Sequence, residues 1–514
     1  MGRSPTAASG SGAPPRRAPS ALWISLGLAA LLNLRQVYYL AKPGNRFMLH
    51  WQRSDALALI ADIALLAAAL YATCALLARA RSPLLRRLRA PLLVFVAVSG
   101  SLTTLTFLEL PAGAERAGWV AAWGLALAAL VFVRAGERAL HFLLRAGPVG
   151  AAVALATFAQ LLSFSPWGEP LEPLEPPAPA RTGKTPSYVF VFDGWSYRES
   201  VGEDGRFHEF LPHLRALAAR SLVFERAVSP WWETEISLPR LLFGRGEGWS
   251  FEKAEGEVFW VGNGQRQRVA EQASLFTPFA RAGYHTVLTG FYLPYRRLLG
   301  REAQVVRSEP HLPRGRAFLD RMQVGALSGA RFLVGPGSSR FFHELYQDRY
   351  SEHWVQLSRR VFDDALRVLE DWPDATFLFA HSPVPHAPFV FDPDGSYRGP
   401  YRGNRDLGTR ADYRRSLRYL DRMVGEVVAR LEARGLFDAA LLILTSDHGW
   451  KRRDRRVLHV PLVLKLPHLP ARDAGSFAPV FQTIDLAGLL EGVASGHADL
   501  AWLLHYIESR GARD

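Results

Sequence analysis

Hydrophobic residues are distributed unevenly along this 514-residue chain. The first third holds long uncharged apolar runs, whereas the remainder alternates short apolar runs with polar stretches. Five runs are each near the length needed to cross a hydrocarbon core of about 30 Å: residues 20–40, 55–78, 90–110, 117–134 and 143–163. We therefore predict a bundle of about five transmembrane helices within residues 20–164, preceded by a cytoplasmic tail at residues 1–19.

Two alternatives to membrane helices are weaker. Short charged loops separate the five runs, which argues against buried helices of a large soluble protein. A cleaved signal peptide is disfavoured because Arg35 and four further apolar runs follow the first one, where a small-residue cleavage site would be expected.

The arginines predict the orientation of the bundle. They cluster at the N-terminus, in the loop at residues 79–89 and in the loop at residues 134–145, and all three belong in the cytoplasm by the positive-inside rule. Five spans then place everything after residue 165 outside the cytoplasm, whereas an even number would reverse this. We expect a multi-pass protein of the plasma or inner membrane, with a periplasmic domain if an outer membrane exists.

The composition argues against several classes of binding site. The net charge of +13 comes mostly from arginines beside apolar runs, which indicates membrane-surface charge rather than a nucleic-acid site. The single cysteine, Cys74, excludes a disulfide within the chain and a cysteine-based zinc cluster.

A proline-rich segment at residues 165–186 predicts an extended linker. The domain after it, residues 187–514, opens with a β-rich apolar run that is typical of a buried central strand. Further strand-like runs alternate with helical patterns, which favours an α/β fold around a mostly parallel sheet. The predicted strands are 188–192, 284–290, 375–382, 440–447 and 460–467, and the clearest predicted helices are 211–220 and 413–435.

Polar residues follow several of these strands. Asp193 follows the first strand, Asp447 and His448 follow the strand at 440–447, and His381 and His386 lie in "AHSPVPHAPF". Ligands of α/β sheets bind beyond the carboxyl ends of the strands, and carboxylate oxygens with imidazoles suit zinc or manganese. The alternative for any single residue is a strand end that caps a helix or contacts water.

A hydroxyl that could act as a nucleophile occurs in "SPWWETEISLPRLLFG" (229–244). Thr234 comes at a predicted helix start, where unpaired N–H groups and the helix dipole favour an alkoxide and a bound phosphate or sulfate. A metal ion would lower the pKa of the hydroxyl further. The alternative is that Thr234 only caps the helix, which is common for threonine.

The order of these segments resembles the sulfatase-like branch of the alkaline phosphatase superfamily over roughly residues 187–490. The most specific segments are "LLILTSDHG" and "VPLVLKLP", and "FQTIDLAGLL" (481–490) is also similar. Within the superfamily, the chain looks closest to membrane-anchored phosphoethanolamine transferases that modify lipid A and to lipoteichoic acid synthases. Thr234-x-x-Ser237-x-Pro239 matches the transferase pattern.

The resemblance implies a role for each candidate residue. Thr234 would be the catalytic nucleophile, and Asp193, Thr234, Asp447 and His448 would hold the metal, which we expect to be zinc or manganese, with calcium or magnesium as alternatives. The histidines that match the family, His386 and His459, would bind the substrate phosphate or a second metal, and His381 is a further candidate for substrate binding.

The chain departs from these families at several positions. True sulfatases carry a Cys/Ser-x-Pro-x-Arg motif and paired aspartates, whereas here Leu241 stands at the arginine position and Gly194 follows Asp193. The two transferase families have glutamate at the first strand end, where this chain has aspartate. The disulfides common in lipid A-modifying transferases are absent.

We expect a metal-dependent, membrane-anchored enzyme that moves a phosphoethanolamine or glycerol-phosphate head group from a lipid donor to an envelope glycan or lipid acceptor. The reaction would pass through a phospho-threonine. The first alternative is an extracytoplasmic hydrolase of sulfuric or phosphoric esters. The second is a non-catalytic envelope sensor or scaffold.

Overall fold

The computed structural model describes most of the chain. It covers residues 18–41, 52–105, 133–163, 172–177, 183–254, 257–313, 315, 317–333, 338–401, 408–450 and 458–511, with isolated residues between 121 and 128. Most of the predicted span at 117–134, much of the predicted linker and the arginine-rich loop at 451–457 lie outside these residues.

The α-helices of the described residues are numbered in chain order. They are α1 (Ala18–Ala41), α2 (Arg53–Arg79), α3 (Pro83–Arg87), α4 (Arg89–Leu105), α5 (Val133–Arg145), α6 (Gly147–Ser163), α7 (Tyr197–Ser200), α8 (Pro212–Ala218), α9 (Thr234–Phe243), α10 (Phe276–Arg281), α11 (Tyr295–Leu299), α12 (Phe318–Leu333), α13 (Ser338–Asp371), α14 (Arg410–Ala433), α15 (Leu486–Ala494) and α16 (Leu500–Gly511).

The β-strands are numbered in the same way. They are β1 (Ser187–Phe192), β2 (Leu222–Val228), β3 (Ser250–Ala254), β4 (Glu257–Gly262), β5 (Gln265–Arg268), β6 (His285–Phe291), β7 (Val305–Glu309), β8 (Thr376–Ser382), β9 (Leu441–Thr445), β10 (Leu462–Lys465) and β11 (Gly475–Gln482).

The chain divides into two compact units, of which the first is helical. It contains α1–α6 together with residues Gly315–His343, which the sequence analysis had placed inside the C-terminal domain. Helix α1 packs on α6, where a Cβ added at Gly27 would lie 2.3 Å from Gly150 Cα, so only glycine permits this approach. Helix α12 packs on α2, and Arg321 forms an ion pair with Asp55 at 3.1 Å.

The helical unit supports a membrane role only in part. Among the described residues, α2 is the one helix long and apolar enough to cross a membrane by itself. Residues Gly136–Arg145 and Gly147–Ser163 make a second candidate if they count as one span bent by 51°. The bundle of five spanning helices therefore stays a prediction.

The second unit is the α/β domain that the sequence predicts. Its eight-stranded sheet has the order β11-β2-β10-β9-β1-β8-β6-β7, and every neighbouring pair is parallel except the two that involve β10. The expectation of a mostly parallel sheet is thus confirmed. Strand β1 lies between β8 and β9, and all six of its residues are buried, which explains its continuous apolar sequence.

The predicted helix at 413–435 is observed as α14. A capping box formed by Thr409 and Asp412 begins it, and Gly435 follows its C-cap in a left-handed conformation (φ 68°). A separate antiparallel sheet, β3-β4-β5, was not among the strands predicted from the sequence.

Gly290, near the end of β6, lies directly against two buried side chains. A Cβ there would lie 2.9 Å from Tyr295 Cε2 and 3.3 Å from His381 Cβ. Because both neighbours are fully buried, we expect Gly290→Ala to lower the free energy of unfolding by about 1–3 kcal/mol, measured by thermal unfolding. Gly475→Ala is the matched control, since a Cβ there contacts nothing within 4 Å. Equal stability of the two variants would contradict this account.

Candidate active site

The three central strands bring the predicted polar residues to one edge of the sheet. In the parallel register Val191 of β1 pairs with His381 of β8 and with Thr445 of β9. Asp193 follows β1, and Asp447 and His448 follow β9, so all of them lie just beyond the carboxyl ends of neighbouring strands. This is where ligands bind in such sheets.

Ser446 joins the ends of β1 and β9. Its hydroxyl lies 2.6 Å from the Phe192 carbonyl oxygen and 2.7 Å from that of His448, and it accepts a hydrogen bond from the Trp195 backbone N–H at 2.9 Å. One Asp447 oxygen, Oδ1, accepts from the backbone N–H groups of Gly194 and His448. These bonds fix Asp447 beside Asp193 without contact with water.

Two overlapping groups of side chains have the spacing of metal ligands. Their ligand atoms lie within 4.8 Å of one another, and both groups contain Asp193. The first group adds His386 and His448, and the second adds His381 and Asp447. His448 Nε2 is 3.4 Å from Asp193 Oδ1 and 3.6 Å from Asp447 Oδ2, which are separations between ligands of one ion rather than hydrogen bonds.

Backbone carbonyls orient two of the histidines. His448 Nδ1 lies 2.9 Å from the Gly449 carbonyl, and His386 Nδ1 lies 2.7 Å from the Ala387 carbonyl. A carbonyl can only accept, so each Nδ1 carries the proton and each Nε2 presents a lone pair. Such carbonyl contacts are typical of metal-binding histidines. The donor set therefore fits a divalent cation.

Thr234 is the first residue of α9, and the N-cap position belongs to Glu233. The structure therefore does not favour the alternative that Thr234 only caps the helix. Its Oγ1 lies 3.3 Å from His448 Nε2, a member of the first group with metal-ligand spacing, and the residue is 8% exposed. Ser237, one turn later, is fully buried and donates to the Asp447 carbonyl at 2.6 Å, so its hydroxyl supports the loop.

A cavity of about 330 Å³ opens onto Thr234. Asp193 and His386 lie on its wall beside Thr234. Other residues line the remainder, and most of them are aromatic or acidic: Glu233, Glu235, Ile236, Phe291, Tyr292, His311, Tyr350 and Trp354. A small ester group can thus reach the Thr234 hydroxyl together with Asp193 and His386.

The electrostatics of the site follow from its burial. Burial alone would raise the pKa of Asp447, but His448, His381, the Thr234 hydroxyl and the Gly194 N–H group together hold that pKa below its usual value. Burial lowers the pKa of His381 to about 4, against the opposing influence of Asp447. The Asp447 carboxylate is therefore ionised and His381 is neutral at pH 7.

The structure does not bring His459 into this cluster. The residue is exposed, its Nε2 lies 2.7 Å from the Glu225 carbonyl, and its ring stacks on Tyr197 with centroids 4.2 Å apart. It bridges to Val228 in the sheet rather than lining the cavity. Its predicted role in phosphate binding finds no support in this arrangement.

Sequence reasoning did not identify the residues that support the cluster. Tyr413 is fully buried, accepts from the Ser196 N–H and donates to the Gly194 carbonyl, so it holds the turn after Asp193. Tyr295 contacts His381, and Ser446 links the strand ends. The serine in "SDHG" was visible as part of the motif, but neither tyrosine has a local sequence signal.

Comparison with known proteins identifies the family. A family model described as Sulfatase matches residues 189–463, which is more than half of the chain. No curated protein sequence matches the chain.

Several solved structures are similar to the chain at low sequence identity. Ps i-CgsB in complex with k-i-k-neocarrahexaose is 18% identical, covering 62% of this chain and 74% of that chain, with a TM-score of 0.43. The phosphonate monoester hydrolase of Agrobacterium radiobacter is 17% identical, with coverages of 61% and 74% and a TM-score of 0.38. The phosphonate monoester hydrolase from Silicibacter pomeroyi is 15% identical, with coverages of 61% and 73% and a TM-score of 0.36. Likenesses at this level say nothing about substrate.

Ser446→Ala tests how the strand ends are held. The change leaves the buried Trp195 N–H and two carbonyl groups without their partner, so we expect a loss of about 1–3 kcal/mol in the free energy of unfolding. Ser476→Ala, which removes an exposed hydroxyl, should change stability by less than about 0.5 kcal/mol. Thermal unfolding of both variants measures the difference, and a neutral Ser446→Ala would refute the role assigned to this serine.

Proposed function

The chain belongs to the sulfatase family, and from that premise we propose that residues 187–514 form a metal-dependent enzyme that transfers a phosphoryl head group through Thr234. The observation that carries the proposal is the position of the Thr234 hydroxyl. It lies at the start of α9, on the wall of the cavity, and 3.3 Å from His448 Nε2. Sulfatase-family enzymes are metal-dependent hydrolases, and the residues around Thr234 include a candidate metal site.

Asp193, Asp447 and His448 would hold the cation, which we propose to be zinc or manganese. When bound, a divalent ion supplies positive charge that lowers the pKa of the neighbouring hydroxyl and neutralises charge on the phosphoryl oxygens. The chain itself keeps both aspartates buried, 4% and 0% exposed, and turns the His448 lone pair toward them. Mixed oxygen and nitrogen ligands favour these metals over calcium or magnesium, which prefer oxygen alone.

In the proposed reaction, the Thr234 oxygen attacks the phosphorus of a phosphodiester. The bond from phosphorus to one alcohol of the diester breaks, the Thr234 hydroxyl loses its proton while the leaving alcohol gains one, and a phospho-threonine that still carries the other ester group forms. A second hydroxyl then attacks phosphorus, and the Thr234–phosphorus bond breaks, which restores the threonine. The first-turn N–H groups of α9 and the His386 side chain would bind the non-bridging oxygens.

The identity of the second hydroxyl separates the proposed transferase from the alternative. A glycan or lipid hydroxyl gives transfer, as in the phosphoethanolamine transferases and lipoteichoic acid synthases that the sequence resembles. Water gives hydrolysis of a phosphoric or sulfuric ester, which the same residues would support. Thr234-x-x-Ser237-x-Pro239, together with Leu241 at the arginine position of the sulfatase motif, favours the phosphoryl reaction.

We also propose that the N-terminal helices anchor the protein in the plasma membrane, with the catalytic domain on the extracytoplasmic side and a lipid as donor. In the helical unit, large apolar side chains lie on the outside rather than in a core. Examples are Leu65 and Leu76 of α2, which are 61% and 70% exposed, and Leu155 and Leu162 of α6, which are 60% and 61% exposed. Such surfaces suit contact with acyl chains.

The proposal predicts that turnover depends on Thr234 and not on Ser237. Thr234→Ala should lower the rate on a chromogenic phosphodiester by at least about 10³-fold, because the nearby Ser237 hydroxyl is fully buried and bonded to the Asp447 carbonyl. Ser237→Ala removes a hydrogen bond to the Asp447 carbonyl and should lower stability while retaining measurable turnover. Phosphodiester, phosphomonoester and sulfate ester substrates should be compared with zinc and manganese. Unchanged turnover in Thr234→Ala would contradict the assignment, and a preference for sulfate esters would favour the hydrolase.

Removal of the metal should destabilise the wild-type protein. A ligand present at about 100 times its dissociation constant stabilises the folded state by about 2.7 kcal/mol. We therefore expect chelation by EDTA to lower the melting temperature, and added zinc or manganese to restore it. In the Asp447→Asn variant, this change in melting temperature should largely disappear. A melting temperature that is indifferent to chelator and to metal would support the non-catalytic scaffold instead.

A further inference from the structure

One ring nitrogen of His381, Nε2, is buried without a hydrogen-bond partner among the residues that the structure describes. The side chain is completely buried near the end of β8, and its ring stacks against Phe291 with centroids 4.6 Å apart. Its Nδ1 lies 2.8 Å from the Tyr295 hydroxyl. Its Nε2 faces Asp193 Oδ2 at 3.9 Å and, among the residues that the structure describes, has no hydrogen-bond partner.

The two tautomers of this imidazole have different consequences. A proton on Nε2 would be a buried donor without an acceptor, because the nearest carboxylate oxygen is 3.9 Å away, beyond the 2.7–3.2 Å of an N–H···O bond. A proton on Nδ1 is instead donated to the Tyr295 oxygen. The Nε2 lone pair then faces two carboxylates, which is favourable only when a cation lies between them.

The separations suit such a cation. Zinc binds imidazole nitrogen at about 2.0–2.1 Å and carboxylate oxygen at about 2.0–2.2 Å, so two ligands of one ion lie at most roughly 4.3 Å apart. The 3.9 Å between His381 Nε2 and Asp193 Oδ2 falls within that limit. His381, Asp193 and Asp447 also form one of the two groups with metal-ligand spacing, and all three are buried.

We propose that His381 is a metal ligand, and that Tyr295 is the positioning residue that directs its Nε2 lone pair toward Asp193 and Asp447. This assignment replaces the role in substrate binding expected from the sequence, because a side chain with no exposure cannot contact a substrate in the cavity. It rests on the proposed metal-dependent function and deepens it. A buried imidazole added to two carboxylates makes the site selective for zinc or manganese over calcium or magnesium.

The local fold supports this pairing. Tyr295 is the first residue of α11, which follows β6, and β6 is paired in parallel with β8 up to Thr289 and Ala380. Gly290 comes next, and its missing side chain leaves the space in which Tyr295 and His381 meet. Tyr295 is fully buried, so its hydroxyl cannot turn to water and stays with the imidazole.

The test uses purified full-length protein and measures metal binding directly. His381→Gln and Tyr295→Phe are compared with His353→Gln and Tyr188→Phe, which alter a histidine bonded to the Pro310 carbonyl and a buried tyrosine at the start of β1. Zinc affinity is measured by competition with a chelating dye, and directly bound imidazoles are counted by pulsed EPR on the copper-loaded protein. Circular dichroism checks that each variant folds.

We expect Tyr295→Phe to weaken zinc binding about 10–100-fold, the effect typical of losing a group that orients a ligand. His381→Gln should weaken zinc binding more than this, lose one imidazole from the EPR count and lose preference for zinc over calcium. The two control variants should match the wild type. Tyr295→Phe retains the imidazole and the fold, so it decides the matter if His381→Gln does not fold.

Two results would overturn the inference, and they are distinguishable. Unchanged zinc affinity and an unchanged imidazole count in His381→Gln and Tyr295→Phe would refute the role of these two residues and leave the metal-dependent function intact. A wild-type protein that binds no divalent ion would refute the proposed function together with this inference.

Discussion

Two carboxylates are held side by side at the centre of the sheet with almost no access to water. Asp193 and Asp447 are 4% and 0% exposed, and their oxygens belong to one group with metal-ligand spacing. Like charges in a buried place repel strongly, so the fold must supply compensating groups. Backbone N–H groups of Gly194 and His448 supply part of this, and three histidines surround the pair. A divalent cation would supply the remaining positive charge. The proposed metal would therefore stabilise the arrangement of strands that holds the two carboxylates together.

The same arrangement fixes the position of Thr234, the proposed nucleophile. Helix α9 begins at Thr234, beside His448, and presents its positive end to the cavity. The same helix carries Ser237, whose bond to the Asp447 carbonyl ties the helix to the loop after β9. The proposed nucleophile and the proposed ligands are thus held in place by one another, as a precisely oriented reaction would require.

Much of the site could be predicted from the sequence, because the information is local. Asp193 and the pair Asp447–His448 directly follow buried apolar strands, and parallel strands end at the same edge of a sheet. The roles of Tyr295 and Tyr413 depend on how distant segments meet, so no local pattern reveals them. His381 and His459 were both predicted from the sequence to bind substrate. His381 is completely buried in β8, whereas His459 is exposed and forms a β-bridge with Val228.

The fold, like the site, could be predicted from the sequence only where the information is local. The hydrophobic runs of β1, β8 and β9 predicted a mostly parallel sheet, whereas the antiparallel direction of β10 depends on the path of the chain after β9. Apolar length alone predicted five membrane spans, but among the described helices α2 satisfies the criterion by itself and α6 only together with its bent partner. Residues Gly315–His343 belong with the helical unit, a grouping that an unbroken C-terminal domain did not anticipate.

The central claim is that Thr234 carries the transferred group, and trapping the covalent intermediate tests it most directly. The protein would be mixed with a phosphodiester substrate and metal, quenched in acid within the first turnover, digested and analysed by mass spectrometry. The account predicts an adduct on Thr234 whose mass is that of a phosphoryl group still carrying the substrate's other ester substituent, and this adduct should disappear when an acceptor is added. An adduct on Ser237, or no adduct on any residue during active turnover, would contradict it.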